Sequence, residues 1–89
     1  MKYKEELVKR FNENLFKAVK ADLDGKSREA DFTFGCASGM LSASYCMYDT
    51  VGTELMAKMS RAMDLAYDIV SNEVDDIQES LWILKNNMA

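Results

Sequence analysis

The sequence predicts an all-α fold, a small bundle of three helices in one domain over residues 1–89. Apolar residues recur at spacings of three and four along most of the chain, which is the period of a helix with one buried face. The chain has no proline and two clear turn signals, Asp22–Ser27 and Val51–Glu54. We therefore expect helices over about residues 3–23, 28–51 and 53–87.

The first predicted helix has one apolar stripe and one charged face, as an ordinary surface helix does. Gly25 suits the left-handed position just after this helix, and Ser27 suits the N-cap of the next one. The stripe consists of Leu7, Val8, Phe11, Leu15, Val19 and Leu23.

The second predicted helix carries no charge between Asp31 and Asp49. A helix without a charged face is usually surrounded by other helices, so we expect it at the centre of the bundle. Its two cysteines, Cys36 and Cys46, lie about 15 Å apart along the helix axis, too far for a disulfide. No CxxC motif is present, so we expect both cysteines to be reduced and mostly buried, as small hydrophobic residues.

Small residues gather within about 100° of arc on one side of the second helix. They let another backbone approach closely. We call them the small-residue stripe and predict self-association through it, with packing inside the chain or a ligand pocket as the alternatives. The stripe consists of Gly35, Gly39, Ser42, Ala43 and Cys46.

The third predicted helix is long. Its apolar residues keep one phase, within about 80° of arc, from Met56 to Leu84, across the polar run Ser71–Glu73. We therefore favour one helix of about 50 Å over two helices split at Ser71, with a kink near Ser71 as an intermediate possibility. Such a helix would overhang the shorter two, and a second subunit would cover its apolar stripe. The sequence thus predicts a homodimer.

Charge is distributed unevenly. The net charge is −4, but residues 1–28 hold eight basic residues against five acids, and residues 29–89 hold three against ten. On an unbroken last helix, Asp64, Asp68, Asp75 and Glu79 fall within about 60° of arc, opposite the apolar stripe. These four acids form either a binding surface for a partner or a solvated face that keeps the protein soluble.

Trp82 lies at the same angle as Asp64, off the apolar stripe, beside a lateral apolar patch of Leu65, Ile69 and Ile83. A tryptophan beside acids is a common interface anchor; packing on the first helix or in a dimer is the alternative. The predicted partner-binding residues are Asp64, Asp68, Asp75, Asp76, Glu79 and Trp82.

Several classes of function lack the residues they need. The chain has no histidine, the commonest neutral-pH base and metal ligand. No nucleophile elbow, calcium loop or carboxylate di-iron pattern is present. We expect no enzyme activity, no metal and no cofactor. The longest uncharged run, residues 32–48, is too short and polar to span a membrane, and the N-terminus is unlike a signal peptide; we expect a cytoplasmic protein.

The sequence therefore favours a non-enzymatic protein-interaction module. We expect a small acidic inhibitor or adaptor, of the anti-defence kind that phages and mobile elements encode, that binds a basic nucleic-acid-handling protein through the acidic face of its last helix. The alternative is a small dimeric regulator, similar to an antitoxin, that binds DNA or a toxin through the basic first helix. No helix-turn-helix spacing is evident, so direct nucleic-acid binding is the weaker expectation.

Overall fold

Four helices make up the regular structure of residues 2–46 and 52–86, the part of the chain that the computed structural model describes. They are α1 (Lys2–Leu23), α2 (Ser27–Cys46), α3 (Thr53–Val70) and α4 (Ile77–Asn86). The all-α prediction is confirmed, and the prediction of three helices is wrong. The expected ends of the second and third helices, at residues 51 and 87, lie outside the described residues.

The central helix is α1, not α2 as predicted. Most of the contacts between the described helices involve α1, and its stripe is buried at Phe11, Leu15 and Val19. The core continues through Met59, Ala62, Met63, Ala66 and Ile69 of α3 and through Leu81 and Leu84 of α4. Leu23, at the end of the predicted stripe, is exposed.

One side of α2 packs on the bundle, and the other faces solvent. The packed side is built from small residues, Ala30, Thr33, Ala37 and Ser44, which allow α2 to lie close to α1. The buried hydroxyls donate to carbonyls one turn earlier, Thr33 Oγ1 to Glu29 and Ser44 Oγ to Met40. The absence of charge from residues 32–46 of α2 therefore does not reflect burial on all sides, which is why the central position was wrongly predicted.

The turn between α1 and α2 ends α1 as the sequence predicts. Gly25 has a φ of 80°, which suits a residue without a side chain. The amide of Gly25 donates to the carbonyl of Asp22, and the amide of Lys26 donates to that of Ala21. This pair of hydrogen bonds is a Schellman motif and satisfies the last carbonyls of the helix.

A second Schellman motif ends α3 and overturns the prediction of one long last helix. Asn72 has a φ of 58°, and asparagine tolerates this left-handed conformation better than most residues. Its amide donates to Ile69, and the amide of Glu73 donates to Asp68. α4 then begins anew, because the Oδ1 of Asp76 accepts the amide of Glu79 at 3.1 Å in an N-cap.

The apolar residues predicted to face the core in the last third of the chain still do so despite this break. Met56, Met59 and Met63 of α3 and Leu81 and Leu84 of α4 are all buried, because each short helix turns its own apolar face to the core. The longest dimension of the molecule is 37 Å, too short for a helix of about 50 Å. The expected overhang does not exist, so the homodimer prediction loses that support.

The helices alternate in direction. Tyr45 and Ser60 share a hydrogen bond, and Phe34 stacks on Tyr67 with ring centroids 5.4 Å apart, so α2 runs antiparallel to α3. The N-terminal halves of α1 and α3 lie side by side, since Lys4 approaches Gly52. The end of α4 reaches the middle of α1, where Asn12 Nδ2 donates to the carbonyl of Lys85.

Candidate functional site

Six acidic side chains, all exposed, follow the end of α3, the turn after it and the start of α4. No lysine or arginine lies between Arg61 and Lys85 in the sequence. The ion pair that the described residues form joins Glu6 to Arg10 on α1, so the six acids stay without a cationic partner there. We call this set the acidic corner: Asp64, Asp68, Glu73, Asp75, Asp76 and Glu79.

The acidic corner is not the straight row that an unbroken helix would give. Asp64 and Asp68 are one turn apart on α3, while Asp75 and Asp76 lie in the turn and Glu79 lies on α4. The Schellman hydrogen bond from Glu73 to the carbonyl of Asp68 holds the turn against α3. Asp76 has a structural role as well, since it caps α4.

Trp82 is exposed next to the acidic corner. Its side chain is 67% accessible, and it lies three residues after Glu79, so the two share one face of α4. The lateral patch predicted beside it is smaller than expected, because Ile69 is buried in the core and Leu65 is half-buried. Ile83 is the member of that patch that stays exposed beside Trp82.

The small-residue stripe faces solvent along its whole length. All five of its residues are exposed, so the stripe does not pack on another described helix. A Cβ added at Gly35 or Gly39 would meet no atom within 4 Å. Phe32 shares this side of α2 and is 74% accessible.

The cysteines are free, with Cys36 half-buried and Cys46 exposed on the stripe. The expectation that both are mostly buried is wrong, because this side of α2 faces solvent. Within residues 2–46 and 52–86, no three cysteine or acidic side chains come together in a way that could hold a metal ion. None of the helices described is both long and apolar enough to cross a membrane.

A lysine-lined cleft between α1 and α3 was missed by the sequence analysis. Its residues come from three separate parts of the chain, around Lys4 to Glu13, around Leu55 to Lys58, and at Lys85. No local motif joins them, and only the packing of α1, α3 and α4 brings them together. The excess of basic residues in the first 28 positions was a partial signal.

The fold and these surfaces define a small helical bundle with an acidic corner, an exposed uncharged helix face and a basic cleft. The chain matches no protein-family model, no curated protein and no solved structure. We therefore infer its function from the geometry and charge of its own surfaces.

Proposed function

We propose that this chain is a non-enzymatic protein-interaction module that binds a basic, nucleic-acid-handling protein through the acidic corner. The observation that carries the proposal is the exposure of six acids that form no ion pair with a described residue, beside an exposed tryptophan. By size, acidity and helix content it would be an inhibitor or adaptor of the kind that phages and mobile elements encode, acting in the cytoplasm.

Electrostatics supports a basic partner. The acidic corner holds six of the 15 acidic residues of the chain, and no lysine or arginine lies among them in the sequence, so this segment carries a strong negative charge. Such a surface raises the association rate with a cationic partner and depends on ionic strength. A polyanion such as nucleic acid would be repelled from the same surface.

Trp82 supplies the apolar contact that electrostatic steering lacks. Tryptophan is enriched among the residues that dominate binding energy, especially when polar neighbours exclude water around it. Glu79 and Ile83 flank Trp82 on α4. We therefore assign attraction to the acids and most of the slow dissociation to Trp82.

A homodimer through α2 is the second part of the proposal. Residues 32–46 of α2 carry no charge and the small-residue stripe among them is open to solvent, so close approach of two such helices would bury Phe32 from both copies. Glycines inside a helix reduce its stability, and no atom of the described residues requires Gly35 or Gly39 to be small. Contact with a second α2 would explain both glycines.

The alternative function, DNA or toxin binding through α1, has weaker support. Lys9, Lys17 and Lys20 are exposed along α1. Glu13 and the paired Glu6–Arg10 interrupt that face, which reduces its attraction for phosphates. A gel-shift assay at low salt tests this alternative directly.

Charge reversal tests the proposed function. The double variant Asp68→Lys and Glu79→Lys is compared with Glu6→Lys and Glu54→Lys, which changes the net charge equally but outside the acidic corner. Binding to a panel of purified basic nucleases and DNA-binding proteins is measured by surface plasmon resonance at several salt concentrations. We expect a salt-sensitive complex that the first variant weakens at least about tenfold and the second leaves nearly unchanged.

Two results would contradict the proposal. One is the absence of salt-sensitive binding to every member of the panel. The other is an equal effect of the two double variants, which would mean that net charge and not the acidic corner decides binding. Trp82→Ala should speed dissociation more than it slows association, and an unchanged dissociation rate would remove Trp82 from the site.

A further inference from the structure

The groove between α1 and α3 is only partly covered by α4. α1 has 22 residues and α4 has 10, so α4 reaches only the middle of α1, at Asn12. Within residues 2–46 and 52–86, the groove is open towards the N-termini of α1 and α3, as a cleft of about 560 Å³. This volume lies in the range of ligand-binding sites in proteins. We call it the α1–α3 cleft.

The α1–α3 cleft combines an apolar surface with an excess of positive charge. Val8 and Leu55, both half-buried, provide the apolar surface, and the methylene chains of lysines extend it. Two glutamates, Glu5 and Glu13, face four lysines, and none of the four forms an ion pair with a described residue. The lysines are Lys4, Lys9, Lys58 and Lys85.

The lysines are spread along the cleft rather than gathered at one end. Lys4 Nζ lies 3.9 Å from the position that a Cβ on Gly52 would take, at the start of α3. Lys85 lies at the other end, with its Nζ 6.0 Å from the centroid of the Phe16 ring. Lys4 and Asn12, which mark the two ends on α1, are about 12 Å apart along the helix axis. A ligand with a single anionic group would contact only one end.

Asn12 adds a further requirement. Its Nδ2 donates to the carbonyl of Lys85, but its buried Oδ1 has no hydrogen-bond partner among the described residues. Buried polar atoms in proteins are almost always satisfied, so an unsatisfied acceptor beside a cleft needs an explanation. A ligand with an N–H group would supply the missing donor once the Asn12 amide turns its Oδ1 towards the cleft and gives up the hydrogen bond of Nδ2 to Lys85.

We propose that the α1–α3 cleft binds an acidic peptide segment of a partner protein. An apolar side chain of the segment packs on Val8 and Leu55, and carboxylates on either side of it contact the lysines at both ends of the cleft. A peptide backbone carries the N–H donors that Asn12 Oδ1 lacks. Val8 and Leu55 favour such a peptide over nucleic acid, because a phosphate backbone offers no apolar side chain to cover them. This cleft is distinct from the acidic corner, and the inference does not depend on the proposed function.

The probe is a short fluorescein-labelled peptide that places leucines between pairs of glutamates. We expect saturable binding by fluorescence anisotropy and amide shifts in NMR spectra at Val8, Asn12 and Leu55. Lys58→Glu should weaken binding at least about tenfold, and the matched control Lys17→Glu, on the exposed part of α1 outside the cleft, should weaken it less than about twofold. Circular dichroism verifies that both variants fold.

The comparison ligands decide between occupants. A peptide of glutamates alone should bind more weakly than the glutamate–leucine peptide, because it leaves Val8 and Leu55 exposed. Equal binding of the two peptides would overturn the inference, as would an equal effect of Lys58→Glu and Lys17→Glu. Tight binding of decanoate or of duplex DNA, with no binding of the glutamate–leucine peptide, would assign the cleft to a different ligand and would also overturn it.

Discussion

Replacing Asn72 with leucine tests the turn that separates α3 from α4. Asn72 is exposed and has a φ of 58°, so the new side chain would change backbone strain without adding burial. A left-handed conformation costs an ordinary residue about 1–2 kcal/mol, and asparagine less. In an unbroken helix the same substitution would raise stability instead, because leucine has a higher helix propensity than asparagine by a few tenths of a kcal/mol. The sign of the stability change therefore distinguishes two helices from one.

Urea unfolding followed by circular dichroism measures this change. With a slope of about 1 kcal/mol per molar urea, we expect the midpoint of the leucine variant to fall by roughly 1 M. Asn72→Gly is the control, since glycine adopts the left-handed conformation without strain and should leave the midpoint unchanged or slightly higher. A leucine variant as stable as the original chain would refute the broken-helix interpretation.

Three further substitutions test separate parts of the fold. Asp76→Ala should lower the free energy of unfolding by about 1 kcal/mol and the melting temperature by roughly 4–8 °C, measured by calorimetry. Asp76→Asn keeps the N-cap and should leave both unchanged. Equal losses in the two variants would show that the cap is unimportant. Leu84→Ala, at a fully buried position, should cost about 2–5 kcal/mol in urea unfolding, and a loss below about 1 kcal/mol would contradict its place in the core. If two α2 helices cross closely, Gly39→Leu should reduce self-association in sedimentation equilibrium. If the variant stays a dimer of unchanged mass, the dimer interface lies elsewhere.

The helical periods of the sequence predicted which residues face the core. Phe11, Leu15 and Val19 of α1 and the methionines of α3 are buried as expected. The end of α1 was predictable too, because glycine is suited to the position that follows a helix. These features depend on interactions between residues close in sequence, which a pattern contains directly.

The break in the last third of the chain was not predictable from phase alone. α3 and α4 each bury the apolar residues that fall on their part of the stripe. The sequence pattern is therefore the same for one continuous helix and for two helices. The polar run Ser71–Glu73 fitted either the exposed side of one continuous helix or the end of a helix. The left-handed conformation of Asn72 ends the helix there. As a result, the acidic residues form a corner instead of a row, although each of them is exposed as predicted.

The sequence by itself determined the all-α class, the composition of the apolar faces and the exposure of the acidic residues, because these follow from helical period and polarity. It left the burial of Trp82 open, and the tertiary structure exposes this side chain. Tertiary structure decided which helix is central. The uncharged run of α2 predicted burial, but the small residues on its other side pack against α1 and leave Gly35 and Gly39 in solvent. Tertiary structure also created the α1–α3 cleft, since α4 is too short to cover the groove that brings Lys4, Leu55 and Lys85 together.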